Sequence, residues 1–497
     1  MSSSSQRIFS GVAWTVVLNI VNAVYGFVSV PLLINYFGKA EYGLIGLAMS
    51  INVYMQLMDM GLNSTNVRFF SNWLSKRENE KVKSGFSVSL LFYGTVGLIN
   101  AVILLVVAYF SNSIFNLTTE QNVIIKHLFY ILAVSAIVSW YSSSFDQLIS
   151  ATENVGWIKK RSFIPKSIQI LVLILTLVLH LNIETYFLLT TFGLFAIIPL
   201  SIKKIKKLLP FISFKPRWNK AQFKEILPYS LNIFSFSIFQ FSFWNLRPIF
   251  LGMQGSPEMV ADFKVMNGII AIITMVSGSF LGALLPSSSK VVANKDKQKY
   301  YQIAYDGVKY VSIIVCLLVF GLITIAPDLL TLYVGKSYLY LVPWLSLWAL
   351  LELTAHEEPI SSLILAGSNI RPLSISSIIA AVTGLIVTWF TIPYFHVGGA
   401  ILGEFAYSTV QQVFYYTYYW PHILKIDSLR VLTRSLGPYV IIGLIAFGIT
   451  YITPSIHSTL GNFFLSGIEF SIIYLGLSLI SLNKDDKAFM LKIVKRK

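Results

Sequence analysis

The sequence predicts an all-α integral membrane protein with about 14 transmembrane helices. Of its 497 residues, 55% are hydrophobic and only 12% are charged, and the mean hydropathy is +0.69. Apolar stretches recur along the chain at the length of a membrane span, which needs about 20 predominantly apolar residues. These stretches lack the alternation of apolar and polar residues typical of a membrane β-barrel. Helices therefore satisfy the backbone hydrogen bonds within the bilayer.

The predicted spans follow one another with short connections, and their bounds carry an error of a few residues. They cover residues 10–36, 42–70, 85–110, 122–148, 163–181, 184–202, 226–251, 258–288, 305–327, 338–366, 372–393, 397–422, 432–453 and 460–482.

The segments between the predicted spans alternate between rich in Lys and Arg and nearly free of them. With the N-terminus inside, the predicted cytoplasmic segments hold 31 Lys and Arg residues, whereas the outer loops hold 3, namely Lys39, Lys126 and Lys336. Cytoplasmic loops carry this excess in membrane proteins. The pattern requires an even number of spans and places both termini in the cytoplasm.

Charge and cysteine content restrict the class of protein further. The net charge of +16 is spread over every predicted inner segment, where it faces anionic lipid, so we expect the lipid bilayer and no nucleic acid as a partner. The single cysteine, Cys316, lies inside a predicted span, which excludes an intramolecular disulfide and a cysteine-based metal site.

The outer loops argue against an enzyme. The longest, residues 111–121, is too short for a folded catalytic domain, and no catalytic triad is recognisable. His356-Glu357-Glu358 does not match the H-E-x-x-H zinc pattern. We expect a transporter without metal or organic cofactor, although a membrane transferase is excluded only by these short loops.

The chain divides at a basic hydrophilic interval. Residues 1–202 form a predicted N-lobe of six spans, 203–225 a basic cytoplasmic linker, 226–424 a C-lobe of six spans, and 425–497 two further spans with a basic tail. A Pro-Gly-Glu spacing repeats in the two lobes at an offset of 217 residues, at Pro31, Gly38 and Glu41 and at Pro248, Gly255 and Glu258. Such repeats place a substrate path between the halves of a transporter.

Four basic residues within or beside the spans are candidates for binding an anionic substrate: Arg68, Arg247, Lys264 and Lys309. An ionisable group in a membrane is costly, so each is a candidate functional residue. Arg247 suits a phosphate because a guanidinium donates paired hydrogen bonds. The depth of Arg247 slightly favours snorkelling to the outer headgroups, and an interfacial place explains Lys264 and Lys309 as readily as a cavity does.

Five acidic residues are candidates for ion coupling or for a polar cavity: Asp59, Glu352, Glu357, Glu358 and Glu404. A buried carboxylate exchanges protons closer to neutral pH than an exposed one. Glu357 and Glu358 precede Pro359, which interrupts helical hydrogen bonding and exposes carbonyl groups to a cation, or simply kinks the helix. The six histidines, including His356, are scattered and are interpreted as interface residues. The expected coupling ion is H⁺ or Na⁺.

The N-terminal hundred residues carry a recognisable signature: PLLI at 31–34, FG at 37–38, EYGL at 41–44, Tyr54, Leu57, Asp59, GL at 61–62 and RF at 68–69. This stretch resembles the polysaccharide-biosynthesis flippases, the O-antigen flippases of the Wzx type. They belong to the multidrug/oligosaccharidyl-lipid/polysaccharide exporter superfamily, which also holds the lipid II flippase and the MATE antiporters. The rest of the chain agrees in span number, central basic loop and short outer loops.

The resemblance implies two six-helix lobes in a V-shaped, alternating-access arrangement, plus two C-terminal helices. It implies a substrate of undecaprenyl-pyrophosphate-linked oligosaccharide, moved from the cytoplasmic to the periplasmic leaflet of the bacterial inner membrane for O-antigen or other surface polysaccharide. It also implies an ion gradient as driving force, and a polysaccharide polymerase and a chain-length regulator as partners. The alternative is a proton- or sodium-coupled multidrug antiporter of the MATE type, although those have typically twelve spans.

Overall fold

A computed structural model describes residues 4–367, 371–454, 458–483 and 486. This part of the chain is 90% helical and contains no strand, so the predicted all-α class is confirmed. The chain separates into two compact units, unit 1 with residues Met1–Lys264 and unit 2 with Val265–Lys497. The predicted lobes 1–202 and 226–424 are not equivalent to these units and remain a prediction.

Unit 1 contains eleven complete helices and the start of a twelfth. They are α1 Ser4–Phe37, α2 Lys39–Tyr54, α3 Leu62–Ser75, α4 Asn79–Tyr109, α5 Ser111–Ile114, α6 Thr119–Ala151, α7 Val155–Arg161, α8 Phe163–Leu179, α9 Ile183–Gly193, α10 Ile198–Leu208, α11 Lys220–Gln254 and α12 Pro257–Ala293. Two stretches, Met55–Asp59 and Leu194–Ile197, are 3₁₀-helical.

Unit 2 begins within α12 and continues with nine helices: α13 Lys297–Gln302, α14 Val308–Tyr333, α15 Val342–Leu351, α16 Glu358–Gly367, α17 Arg371–Phe395, α18 Val397–Phe414, α19 Ser428–Arg430, α20 Gly437–Ile452 and α21 Thr459–Ser481. Lys336–Leu341 and Glu352–Glu357 are 3₁₀-helical. Ile303–Gly307, Tyr415–Leu424 and Val431–Leu436 are π-helical.

Within the described residues, 11 helical stretches are long and apolar enough to cross a membrane. The predicted spans lie on helical segments. The segments 39–75, 220–254 and 397–424 are not among the 11 stretches that are long and apolar enough. The prediction of a multi-pass membrane protein is therefore confirmed, whereas the number fourteen stays a prediction.

The outer surface of these helices is apolar. On α4, for example, Val102, Leu105 and Val106 leave about half of their side chains exposed. In a bilayer such side chains contact lipid tails, which are as apolar as they are.

The core of unit 1 joins α3 to α4 and α6 and thereby fixes the geometry around α3. Phe70 and Trp73 of α3 pack with Phe86 of α4 and Phe145 of α6 in one buried cluster. Gly85 permits this approach, because a Cβ at that position would lie 2.6 Å from the Trp73 ring. A larger residue there forces α3 and α4 apart.

Unit 2 has two buried clusters. One joins the π-helical turn around Ala304 to α16 and to Tyr419 and Trp420. The other joins α14, α20 and α21 through Phe320 and Phe470. A Cβ at Gly443 of α20 would lie 2.3 Å from the Phe320 ring, so α14 and α20 pack at contact distance.

The prediction of one continuous helix over residues 42–70 is wrong. Met60 and Gly61 have φ of 50° and 74°, which separates the 3₁₀ turn Met55–Asp59 from α3. Glycine adopts positive φ readily because it has no Cβ. The apolar content of the segment concealed the interruption, since hydropathy does not report backbone direction.

Candidate functional site

The break between Asp59 and Leu62 creates a polar site in unit 1. The two residues at positive φ, Met60 and Gly61, end one helical segment and separate it from α3 within a few residues. In a membrane, backbone that leaves helical geometry is tolerated where it is buried in protein or lines a water-filled cavity. Transporters place substrate and ion sites at such discontinuous helices.

A cavity of about 350 Å³ lies at this break. Six polar residues and one indole ring dominate its wall, and the full lining is Asn52, Gln56, Asp59, Asn63, Ala136, Ser139, Trp140, Ser143 and Phe241. These residues come from α2, the 3₁₀ turn, α3, α6 and α11. The cavity thus offers amide, hydroxyl and carboxylate groups beside one aromatic face.

Asp59 connects the cavity to a buried chain of hydrogen bonds. The Tyr93 hydroxyl donates to Asp59 Oδ1 at 2.5 Å, and Gln147 Nε2 donates to the Tyr93 hydroxyl at 2.7 Å. Asn66 Nδ2 donates to Gln147 Oε1 at 2.8 Å. Asn66, Tyr93 and Gln147 are fully buried, whereas Asp59 is half-buried and reaches the cavity.

The carboxylate is held in one orientation. Asp59 Oδ2 accepts from the backbone N–H of Asn63 at 3.1 Å, in the first turn of α3, where the helix dipole favours a negative charge. The Tyr93 ring stacks on Trp140 at 5.9 Å between centroids. A fixed carboxylate facing a polar cavity is able to hold a proton, a cation or a sugar hydroxyl.

Asn66, Tyr93 and Gln147 were not among the predicted site residues. The prediction considered ionisable side chains, and these three are uncharged at neutral pH. An available signal was the amide of Asn66 or Gln147 inside an apolar segment, because a buried amide requires a hydrogen-bond partner.

The three predicted cations of unit 1 lie apart from the cavity wall. Arg68 is exposed on α3, with its guanidinium 4.1 Å from the centre of the Tyr229 ring. Arg247 is only 1% exposed, and its guanidinium lies 4.9 Å from the Phe243 and Trp244 ring centres and 5.3 Å from that of Phe263. Burial of Arg247 rules out the snorkelling interpretation for the folded unit.

Lys264 belongs to a close contact between α2 and α12. Its stem packs on Gly46, where a Cβ would lie 3.2 Å from Lys264 Cγ. Asp262, two residues before Lys264 on α12, forms an ion pair with Lys39 at 2.7 Å. Gly43 admits the start of α12, because a Cβ there would overlap the Pro257 carbonyl group.

Three of the four acidic candidates of unit 2 lie in or directly after the 3₁₀ stretch Glu352–Glu357. Glu352 is half-buried and accepts from Thr274 Oγ1 at 3.3 Å. Glu357 is buried and has the Gln412 side chain as a hydrogen-bond neighbour. Glu358 is half-buried at the start of α16, and Glu404 is buried in α18.

The interpretation of His356 as an interface residue is wrong. His356 is 3% exposed, with Nδ1 2.6 Å from the Leu353 carbonyl oxygen and Nε2 2.6 Å from the Tyr416 hydroxyl. Because a carbonyl only accepts, Nδ1 carries a proton and donates to Leu353. The ring is thereby a buried, structural partner of Leu353 and Tyr416.

Lys309 lies outside the apolar part of α14 and forms ion pairs. Its Nζ is 2.6 Å from Asp486 Oδ1 and 3.9 Å from Asp306 Oδ1. Burial alone would raise the pKa of the Asp486 carboxyl, but the hydrogen bonds from Lys309 and Tyr310 together outweigh it and hold the pKa below its ordinary value. Asp486 is therefore ionised at neutral pH.

Of the nine predicted site residues, the structure places Asp59 in the cavity of unit 1. Glu352, Glu357 and Glu358 adjoin one another at the 3₁₀ stretch of unit 2, and the other five lie elsewhere. Within the described residues, no group of three or more His, Cys, Asp or Glu side chains is arranged to hold a metal ion.

Solved structures share this fold. The lipid II flippase MurJ, in an inward closed conformation, aligns with a TM-score of 0.73 at 14% identity, covering 94% of this chain and 98% of that protein. An inward-facing MATE-family multidrug transporter of the MOP superfamily aligns with a TM-score of 0.64 at 12% identity, covering 80% and 93%. A eukaryotic MATE transporter aligns with a TM-score of 0.53 at 13% identity, covering 82% of this chain and 94% of that protein.

The fold is thus that of the flippases and transporters of the multidrug/oligosaccharidyl-lipid/polysaccharide exporter superfamily. A sequence comparison with curated proteins finds no match. The family model described as polysaccharide biosynthesis protein matches residues 8–292, more than half of the chain. The chain belongs to this polysaccharide biosynthesis protein family, and the predicted family is confirmed.

Proposed function

We propose that this protein is a flippase that moves undecaprenyl-pyrophosphate-linked oligosaccharide repeat units from the cytoplasmic to the outer leaflet of the bacterial inner membrane. The products serve O-antigen or another surface polysaccharide, and a polymerase and a chain-length regulator act downstream. Both chain termini lie in the cytoplasm. Membership in the polysaccharide biosynthesis protein family supports this role.

The observation that carries the proposal is the polar cavity at the helix break of unit 1. Asn52, Gln56 and Asn63 offer amide groups, Ser139 and Ser143 offer hydroxyls, and Trp140 offers a ring face. Sugars present hydroxyl groups on their rims and apolar C–H faces, so amides and an aromatic ring together suit them. An apolar drug requires a predominantly apolar pocket instead.

Arg68 is the best-placed cation for the pyrophosphate. Its guanidinium is exposed and stacks on Tyr229. Stacking fixes the plane of a guanidinium while its N–H edge remains available for paired hydrogen bonds to phosphate oxygens. Arg247, Lys264 and Lys309 are secondary candidates because each is engaged in a close packing or ion-pair contact.

Asp59 is the proposed coupling residue. Protonation of Asp59, or binding of Na⁺ to its carboxylate, changes the charge of the cavity wall and with it the affinity for a polar substrate. The carboxylate reaches the cavity and is oriented by Tyr93 and Asn63. Glu357, buried in unit 2, is the second candidate for ion coupling.

The proposal is tested in a strain whose own flippase has been deleted and which expresses this protein with Arg68→Ala. We expect export of the lipid-linked repeat to fall by about 10–100-fold, the equivalent of one or two charge-assisted hydrogen bonds. The lipid-linked repeat should accumulate in the inner leaflet. Arg77→Ala is the matched control, since Arg77 is exposed in the turn before α4.

A cation-coupled multidrug antiporter of the MATE type is the second candidate, favoured by the structural likeness to the MATE-family transporter. Purified protein in liposomes distinguishes the two. Efflux of a cationic dye driven by a proton or sodium gradient, with no movement of lipid-linked oligosaccharide, identifies the antiporter and overturns the flippase.

A further inference from the structure

A second polar pocket, of about 300 Å³, lies in unit 2 away from the cavity described above. We name it the basic pocket. Its lining combines charged and hydroxyl-bearing side chains: Tyr305, Asp306, Lys309, Arg430, Arg434, Ser435, Pro438, Tyr439, Ser481, Asn483 and Asp486. The residues come from the π-helical turns before α14 and α20, from α19, from the first turns of α14 and α20, and from the end of α21 and the residues after it.

Positive charge predominates at the mouth of this pocket. Lys309 is neutralised by Asp486 at 2.6 Å, and Asp486 also accepts from the Tyr310 hydroxyl. Arg430 and Arg434 are exposed, and the Arg430 guanidinium lies 4.2 Å from the centre of the Tyr305 ring. The two arginines are therefore the cations that the pocket presents to a ligand.

Two π-helical turns form the wall, Ile303–Gly307 and Val431–Leu436. They are tied together, because Ser435 Oγ donates to the Tyr305 carbonyl oxygen at 3.0 Å. The Tyr305 hydroxyl in turn accepts from the backbone N–H of Asp427 at 2.9 Å. Short π-helical turns are rare and often occur at functional sites.

The surroundings of the arginines suit the boundary between lipid tails and headgroups. Leu429 and Leu432 are exposed next to Arg430 and Arg434 in the chain. The positive charge of this region predicts a cytoplasmic location, where anionic lipid concentrates and basic clusters between helices bind headgroups. An alternation of exposed leucine and arginine matches a segment at this depth.

We propose that the basic pocket binds the phosphate of an anionic phospholipid headgroup of the inner leaflet, with Arg430 and Arg434 as the phosphate ligands. The site is separate from the transport cavity and does not depend on the proposed transport function. Guanidinium groups suit a phosphate diester because they donate paired, charge-assisted hydrogen bonds. Ser481 and Asn483 line the same pocket and suit the headgroup hydroxyls.

The test is native mass spectrometry of the full-length, detergent-solubilised protein, titrated with dioleoyl phosphatidylglycerol. The wild type is compared with the double variant Arg430→Gln/Arg434→Gln. We expect affinity for phosphatidylglycerol to fall at least about tenfold, since loss of one charge-assisted hydrogen bond already has that effect. The control Lys290→Gln/Lys297→Gln removes the same charge from exposed lysines outside the pocket and should retain affinity.

Two further titrations distinguish the source of the phosphate. Dioleoyl phosphatidylcholine should bind at least about tenfold more weakly, and millimolar inorganic phosphate should not displace phosphatidylglycerol. Equal loss in both double variants, or none in either, overturns the proposal. Displacement by inorganic phosphate would exclude the lipid headgroup as the ligand and identify a site for a free anion. The variant Arg430→Lys/Arg434→Lys retains the charge, and we expect it to lose only part of the affinity. This partial loss distinguishes removal of the phosphate ligands from a folding defect.

Discussion

Each unit contains an acidic 3₁₀ stretch, Met55–Asp59 in unit 1 and Glu352–Glu357 in unit 2, and the two differ in what surrounds the carboxylate. In unit 1, Asp59 ends the 3₁₀ turn, Met60 and Gly61 follow at positive φ, and the carboxylate faces a polar cavity. In unit 2, Glu352–Glu357 is a tightened turn without a residue at positive φ. There Glu357 and His356 are buried in protein.

The comparison shows that a helix interruption is not by itself a site. At the first break, polar side chains of α2, α3 and α6 line a cavity. At Glu352–Glu357, the buried His356 ring instead lies in hydrogen-bond contact with Tyr416. We therefore expect substitutions at the first break to impair function and substitutions at the second to reduce stability.

Asp59→Asn should have the largest effect. The amide retains an oxygen that accepts from Tyr93 but has no negative charge, so we expect export of the lipid-linked repeat to fall about 10–100-fold with little change in unfolding temperature. Export in the deletion strain and thermal unfolding of the purified protein measure the two effects. Glu120→Gln, at an exposed glutamate of α6, is the control. Full export by Asp59→Asn would remove Asp59 from the mechanism.

Tyr93→Phe sharpens the comparison by removing the hydroxyl that joins Asp59 to Gln147. The change leaves Gln147 Nε2 without its acceptor in a buried place, so we expect the free energy of unfolding to fall by about 1–3 kcal/mol. Export should also fall, because Asp59 loses a donor that orients it. Chemical denaturation in detergent and the export assay report the two. Normal export in a destabilised Tyr93→Phe protein would make the hydrogen-bond chain purely structural.

Gly61→Val tests how far stability depends on the left-handed backbone at the first break. A β-branched residue at φ 74° is strained, and we expect a loss of about 1–2 kcal/mol in the free energy of unfolding. Gly61→Asn should lose less, because asparagine tolerates left-handed geometry. Comparison of the two variants by denaturation separates backbone strain from side-chain volume, and equal losses would assign the effect to volume.

Tyr416→Phe should have the smallest effect and none on export. The variant removes the hydroxyl that is hydrogen-bonded to His356 Nε2, while the bond between Nδ1 and Leu353 remains, so we expect a loss of about 1 kcal/mol. Denaturation and export again measure the result. If Tyr416→Phe abolished export while Tyr93→Phe did not, the roles of the two breaks would be reversed.

The helices, the multi-pass class and the family were predictable because each is carried by short stretches of the sequence. Apolar length and the inside excess of Lys and Arg are carried by each segment on its own. The resemblance at residues 31–69 lies within the matched family region. The lobes remain a prediction, because the compact units divide within α12, after Lys264, and are not equivalent to the lobes.

The site was only partly predictable because it depends on contacts between distant residues. Asp59 was found by its charge, but its partners Tyr93 and Gln147 lie 34 and 88 positions further along the chain. Arg247 was expected near a surface and is enclosed by aromatic rings. Which face of a span turns inward is decided by packing, and a strongly apolar helix carries little information on it.

Insertion of α11 into the membrane is constrained by Arg247. An ionisable group within a membrane span is costly unless protein encloses it. Two of the rings around the guanidinium, Phe243 and Trp244, belong to α11 itself, whereas Phe263 belongs to α12. The enclosure is therefore complete only when both helices are in place.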